Sequence, residues 1–415
     1  MPKAAHRLRW ILSLATAVLL AGQVRAEVGI VTEAPGDDVQ TVKTDRGWMV
    51  PYTETIPGTD ATFEMVPVPG GFVHQDVGAE GEEPALVEVE LPPYWIGKTE
   101  VTWAEYRPYM DLNQAYAQIQ QLATLEADGD AAAAIQKAPH LAKKLSMKRA
   151  VDAATIEVDA VTAPTALYDP SSTYESGEEP ELPAVTMTPF AARQYTKWLS
   201  SLVGRDYRLP SEAEWFRAAA ADDYAEPADL DAVAWYTDNA DYVAHPVGEK
   251  EPNAWGLYDM LGNAAELVLD GVYAEGREAP SGRRLTWAEA VAWPRKGDGR
   301  IAKGGFYDAE ADTVTLTARL VTEDSDWKAS DPNLPASPWW YTDFPATGVG
   351  FRVVRPLDPI PDDIRAKVWD AEEESVARAV TERLREGRGK LGPIGADLPA
   401  VLQELGSPEV KKLMK

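Results

Sequence analysis

Apolar and polar residues alternate in two short runs near the start of the chain. Phe63-Glu-Met-Val-Pro-Val-Pro-Gly-Gly-Phe72-Val73 alternates and then turns on a glycine pair, as a strand and turn should. Val87-Glu-Val-Glu-Leu91 alternates again and leads into Tyr94-Trp95-Ile96. A short helix is predicted over about Trp103–Met110, with Thr102 as its N-cap. Leu112, Tyr116, Ile119, Leu122 and Leu125 keep a helical period, a second helical piece covers about 130–154 with a break at Pro139, and 168–183 reads as a Pro/Ser/Glu loop. The clearest helix follows. Thr188-Pro189 supplies an N-cap and proline at the first helical position, Ala192, Tyr195, Trp198, Leu199 and Leu202 form the buried stripe, and Gly204 ends it. Tyr207–Leu209 is a short strand, and Ser211-Glu-Ala-Glu214 is a capping box opening the helix that carries Trp215. Arg208, Glu214 and Trp215 therefore read as scaffold.

Further on, Arg300–Gly305 reads as a strand ending in a glycine pair, Val314–Arg319 as another, and Gly348–Arg355 as a central closing strand. The loop 324–343 between them carries Trp327, Trp339, Trp340 and Tyr341. Such rings either pack on each other or, left exposed, line a cleft. After Pro356 the pattern becomes helical over 361–386 and stops at Gly387; 387–395 reads as a flexible linker and 398–405 as a weak helix. Residues 27–60 are rich in Pro, Gly, Asp and Thr and read as an extended lead-in.

Composition adds an address. Lys3, Arg7 and Arg9 precede the apolar run Trp10–Leu20, and Val24-Arg25-Ala26 is a small-residue cleavage site. Residues 1–26 are thus expected to be a cleavable export signal, too short in its apolar part to span a bilayer, and the mature chain to be periplasmic or extracellular with no membrane span. Cleavage takes away four basic residues and no acid, deepening a net charge that is already −27. Such a surface opposes nucleic acid and anionic membranes and suits divalent cations. With no cysteine in the chain, there is no disulfide and no lipid-bearing thiol.

Everything else is arranged around Asn253–Asp270, where apolar residues surround Gly256 and Gly262 and the oxygen-bearing Asp259, Asn263, Glu266 and Asp270. By spacing alone this is a tight turn with solvated acids, or a hard-ligand set of the kind calcium takes. Asn253–Glu266 resembles the hallmark block of the sulfatase-modifying factor family, whose type member is the formylglycine-generating enzyme. Tyr94–Tyr106, Pro183–Ala218 and Lys303–Pro356 resemble three further blocks in the family order. The resemblance implies an α+β fold, irregular and C-type-lectin-like, over 61–357. An insertion at 111–182 and a helical tail at 358–415 are additional to it.

The family oxidase uses a pair of copper-binding cysteines after the glycines of the last block. Here Gly304-Gly305 is followed by Phe306, Tyr307, Asp308 and Ala309, with Ala309 at the first cysteine's place. Ala265 and Leu267 stand where the hallmark block has tryptophans. The iron-dependent sulfoxide branch of the family needs a histidine-rich site, and His74, His140 and His245 are scattered. No copper or haem is expected, and neither a glycine-rich phosphate loop nor a Gly-x-Ser-x-Gly elbow is present.

The resemblance further implies a structural calcium at Asp259, Gly262, Ala264 and Glu266. A second metal site would begin at Asn239 with the Ala240 carbonyl, although the loop that should complete it is shortened. Phe306, Tyr307 and Asp308, with Trp339 and Trp340, would line the family cleft. Three readings follow: a non-catalytic binding or assembly module for a protein or glycan ligand, an oxidase- or oxygenase-like enzyme of unrecognised type using Asp308, Tyr307 and His245, or a structural component of an envelope complex.

Overall fold

The alternating run at the start of the chain becomes the spine of two sheets. The computed structural model describes residues 27–414, apart from 37–38, 78–84, 126–132, 134, 146–159, 168–169, 223, 273–283, 296–297, 323–326 and 329–336. The expected export signal, most of the second helical piece and much of the aromatic loop lie outside the described residues. β1 (Ile30–Val31), β2 (Val42–Thr44) and β3 (Gly47–Met49) form a small sheet ordered β1-β3-β2, so the lead-in is folded rather than merely extended. β4 (Tyr52–Thr55) and β5 (Thr62–Val68) pair antiparallel, and β6 (Gly71–Asp76) pairs with β7 (Leu86–Leu91) after the glycine turn. β8 (Tyr94–Gly97) joins β5.

α1 (Trp103–Met110) and α2 (Leu112–Leu125) form where helical spacing places them. α3 (Pro189–Val203) is capped by Thr188, whose hydroxyl accepts from the Ala191 amide, and ends at Gly204 with φ 68°. It is buried on nearly every face because rings from several elements meet it: Tyr195 lies 5.4 Å from both Tyr106 and Phe351, ring centre to ring centre. α4 (Glu212–Ala220) opens with the expected capping box. Just before it, Arg208 reaches Glu214 through Nη1 at 2.6 Å and Nη2 at 2.7 Å, with both side chains 1% exposed.

The organising stretch ends in β10 (Ala265–Gly271), every residue of which is buried. It sits in a sheet ordered β13-β12-β10-β14, with β12 at Arg300–Lys303, β13 at Leu320–Thr322 and β14 at Val349–Gly350. β11 (Arg284–Thr286) lies on β7 in the neighbouring sheet. Two expected strands differ here. Val314–Arg319 is irregular, and pairing with β12 begins only at Leu320. The closing strand is not one strand. β14 runs parallel to β10, after which the chain crosses to the other sheet as β15 (Val354–Pro356) beside β8. Phe351, Arg352 and Val353 make the crossing and are all buried, which places a charged side chain between the sheets.

The tail also departs from expectation. The helical pattern over 361–386 is broken into α5 (Arg365–Trp369) and α6 (Glu374–Arg385), and acids between them pair with basic residues of the body. Asp370 meets Lys197, and Glu372 meets Arg193 and Arg300. The expected linker contains β16 (Lys390–Pro393), antiparallel to β9 (Ala160–Ala163) of the insertion. α7 (Leu398–Leu405) and α8 (Pro408–Leu413) complete the chain. Among the described residues, no helix is long and apolar enough to cross a membrane.

Candidate functional site

Three left-handed residues shape the turn before β10: Asp259 at φ 52°, Gly262 at 74° and Asn263 at 57°. Glycine is required at 262, since a Cβ there would lie 2.2 Å from the Trp235 carbonyl oxygen. That carbonyl accepts from the Asn263 amide at 2.8 Å, while the Gly262 amide donates to Gly304 at 2.9 Å and the Tyr307 amide to Asn263 at 3.0 Å. The turn is thereby laced to the glycine pair that follows β12.

Its side chains point into the interior. Asn263 accepts from the His245 amide at 2.9 Å and donates through Nδ2 to Glu100 Oε1 at 3.1 Å. Asp259 Oδ2 accepts from the Gly248 amide at 2.6 Å. Glu266 Oε2 accepts from Trp215 Nε1 at 2.8 Å and from Arg352 Nε at 2.5 Å, and Oε1 accepts from Arg352 Nη2. Arg352 also donates to the carbonyls of Gly97 at 3.0 Å and Tyr258 at 2.9 Å.

Glu100, Asp259 and Glu266 thus surround one guanidinium, each at most 2% exposed. Burial pushes the Glu100 carboxyl well above its usual range and the neighbouring Asp259 charge pushes it further; burial also lifts Asp259 to about 6. Glu266 is raised by burial against the pull of Arg352. Glu100 was not among the residues singled out from sequence. Its signal was a lone acid among Ile96, Val101 and Trp103 in a stretch otherwise headed for the core.

A hard cation fits part of this set. Asp259 Oδ1 and Glu100 Oε2 are buried carboxylate oxygens that no donor reaches, the kind of atom calcium would satisfy. Among the described residues no three His, Cys, Asp or Glu side chains converge as a metal group. Backbone carbonyls such as those of Gly262 and Ala264, with water, would have to complete the shell.

At the expected second site, Asn239 Oδ1 accepts from the Tyr236 amide at 3.0 Å, and the Ala240 carbonyl faces His245 Nε2 at 3.1 Å. Both oxygens are engaged by the loop itself. His245 is further fixed by stacking on Trp235 at 3.7 Å.

The expected cleft residues are largely interior. Phe306 fills the space beside Gly348, where a Cβ would come within 2.1 Å of its ring. Tyr307 is 3% exposed and its hydroxyl lies against Thr347 and Ser176. Asp308 accepts from the Thr237 hydroxyl at 3.1 Å. Trp339 and Trp340 do not line an opening. The insertion covers them, accepting from their Nε1 atoms at Thr162 Oγ1 (3.1 Å) and the Thr165 carbonyl (2.9 Å). Phe344, 58% exposed and 5.7 Å from Phe306, is the aromatic left at the surface here.

A family model described as the sulfatase-modifying factor enzyme 1-like domain matches residues 53–357. The serine/threonine-protein kinase pkn1 of Chlamydia pneumoniae is 28% identical over 151 residues, which are 33% of this chain and 21% of that protein, so the chain spans about a fifth of that relative. Among solved structures, Treponema denticola variable protein 1 is 18% identical, with 74% of this chain and 99% of that one covered and a TM-score of 0.44. PvdO from Pseudomonas aeruginosa is 20% identical, with 71% and 94% covered and a TM-score of 0.39. CarF is 21% identical, with 71% and 99% covered and a TM-score of 0.37.

Proposed function

The chain belongs to the sulfatase-modifying factor family, and from that premise we propose that it is an exported, non-catalytic member: a module that binds or assembles with a protein or glycan partner. One observation carries this. Ala309 stands where the family oxidase has its first copper-binding cysteine, and the chain contains no cysteine at all. Thiolate ligation of Cu(I) has no donor without sulfur of that kind. The burial of Tyr307 and the engagement of His245 with Trp235 support the same reading, because neither presents a free group for a substitute chemistry. A structural Ca²⁺ beneath the turn belongs to this proposal as a stabilising ion.

The test has two arms. The purified chain, supplied with Cu(I), oxygen and a cysteine-bearing peptide, should form no aldehyde and consume no more oxygen than copper and peptide alone; aldehyde formation would overturn the non-catalytic reading. Cross-linking in native envelope fractions should recover a defined partner in fixed ratio. The pairing of insertion and tail through β9 and β16 also favours a second reading, a structural subunit of an envelope complex. Recovery of a multi-protein assembly, rather than one ligand, would select it.

A further inference from the structure

The order β11-β7-β6 leaves one edge of β6 without a neighbouring strand. Along that edge runs a cavity of about 440 Å³, walled by residues 73–76 on one side and by Ala213 and Phe216 of α4 on the other. Consecutive strand residues point to opposite faces, so a space that meets four in a row follows the edge rather than a face.

The register with β7 shows which main-chain groups that edge offers. Asp76 stands opposite Leu86, and the Val77 amide donates to the Ala85 carbonyl at 3.0 Å. In an antiparallel pair, residues that bond to the partner strand alternate with residues that face away from it. Val73, Gln75 and Val77 therefore bond towards β7, while Phe72, His74 and Asp76 turn outwards. The Asp76 carbonyl does so, accepting from Arg319 Nη2 at 2.7 Å. Among the described residues nothing bonds the His74 amide or carbonyl.

Three side chains give the cavity its chemistry. Gln75, 7% exposed, donates through Nε2 to Glu212 Oε2 at 3.3 Å and Asp270 Oδ1 at 3.4 Å. Two acceptors on one side fix the amide, so Oε1 faces away from them, buried and without a donor. Arg319 holds Glu212 through Nε at 2.7 Å and Nη2 at 2.8 Å, which leaves Nη1 for a further acceptor. Lys303 adds a second positive charge, 3.3 Å from the same Glu212. Because Arg319 occupies the Asp76 carbonyl, a strand added to β6 must stop there. A chain that ends beside a guanidinium ends on its carboxylate, not on its ammonium group.

We propose that β6 takes up the C-terminal segment of a partner protein as an added strand. The segment bonds to the His74 main chain, sets its carboxylate on Arg319 Nη1 and gives an N–H or O–H to Gln75 Oε1. Phe216 and Ala213 supply an apolar wall for one of its side chains. This deepens, and rests on, the reading of the chain as a binding module for a protein partner.

The probe is a pool of short random peptides with free C-termini, passed over the immobilised full chain and read by mass spectrometry, with the same pool as C-terminal amides in parallel. Free-acid peptides should be enriched, and an enriched peptide should bind at least about tenfold more tightly than its amide by fluorescence anisotropy. His74→Pro removes the outward amide without touching the β7 ladder, and should weaken binding at least about tenfold with the native circular dichroism retained. His74→Ala keeps that amide and should bind as the wild type does. Arg319→Lys keeps a cation for Glu212 but loses the fork, and should erase the preference for acid over amide. Should His74→Pro fail to fold, that preference decides alone. No enrichment, equal binding of acid and amide, undiminished binding in His74→Pro, or equal loss in His74→Ala overturns the proposal. If cross-linking recovers an envelope partner while the peptide pool is not retained, this site falls and the binding-module reading stands; if neither is recovered, both fall.

Discussion

Arg352 holds Glu266 with two nitrogens, Nε to Oε2 at 2.5 Å and Nη2 to Oε1, in a place where neither side chain is more than 1% exposed. The contact joins β10 to the segment where the chain crosses between sheets, so it is a strut as well as an ion pair. Removing one partner strands the other charge in the interior. Arg352→Met or Glu266→Gln is expected to cost about 3–5 kcal/mol in urea unfolding. The Arg352→Met/Glu266→Gln double variant should be less destabilised than the two singles added together. Additive losses would show that the two side chains act separately.

Stability should fall as the medium becomes alkaline. Burial lifts Glu105 to about 8, and burial with the nearby Glu212 charge lifts Asp270 to about 7. Each is an acid whose folded value exceeds its unfolded one. The native state therefore keeps the proton to higher pH, and stability present near pH 4 is lost progressively as pH rises to about 8. Glu105→Gln isolates one contributor, because Gln preserves an acceptor for the Thr102 amide and hydroxyl, now met by Glu105 at 3.3 and 2.9 Å. The wild-type drop between pH 5.5 and 8.5 should shrink by roughly 1–3 kcal/mol in the variant. An unchanged slope would remove Glu105 from the explanation.

Gly262→Ala should abolish folding or cost at least about 3 kcal/mol, measured by urea unfolding or, failing soluble protein, by loss of the native circular dichroism spectrum. Its φ of 74° is strained for alanine, and the added Cβ would lie 2.2 Å from a carbonyl oxygen that already holds the Asn263 amide. A stable variant would show that the turn has another way to close.

Local signals carried much of this fold. Thr188-Pro189 and Gly204 bracket α3 as their backbone preferences require, and Ser211 with Glu214 opens α4. The stretch 253–270 ends in β10, where Ala265 and Glu266 pair with Val349 and Gly350. What failed was information stored in distant partners. Gly348–Arg355 reads as one apolar strand, because either sheet rewards burial equally, and only the Arg352 partners reveal the crossing. The glycines of 387–395 read as freedom, whereas Gly389 and Gly392 are small because rings lie against them. Glu100 was passed over because a buried acid is intelligible only once Asp259, nearly 160 residues away, is beside it.

Those two glycines give the most direct test of how the additions outside the family domain hold together. A Cβ at 392 would come within 2.3 Å of the Tyr116 ring, and one at 389 within 2.3 Å of the Trp339 ring. Neither has positive φ, so a substitution there acts through crowding rather than backbone strain. Gly392 lies in β16 and Gly389 immediately precedes it; that strand is bonded to β9, and Lys144 of the insertion, 2% exposed, reaches both Asp397 at 2.9 Å and the Ile394 carbonyl at 3.1 Å. Forcing the strand off should therefore loosen the insertion as well as the tail. Gly392→Val is expected to cost about 1–3 kcal/mol and to speed hydrogen exchange at the amides of 160–163. Amides in β10, which lies in a different sheet from both strands, should stay protected. Rapid exchange confined to 388–415, with 160–163 still protected, would mean that the tail rests on the insertion without holding it.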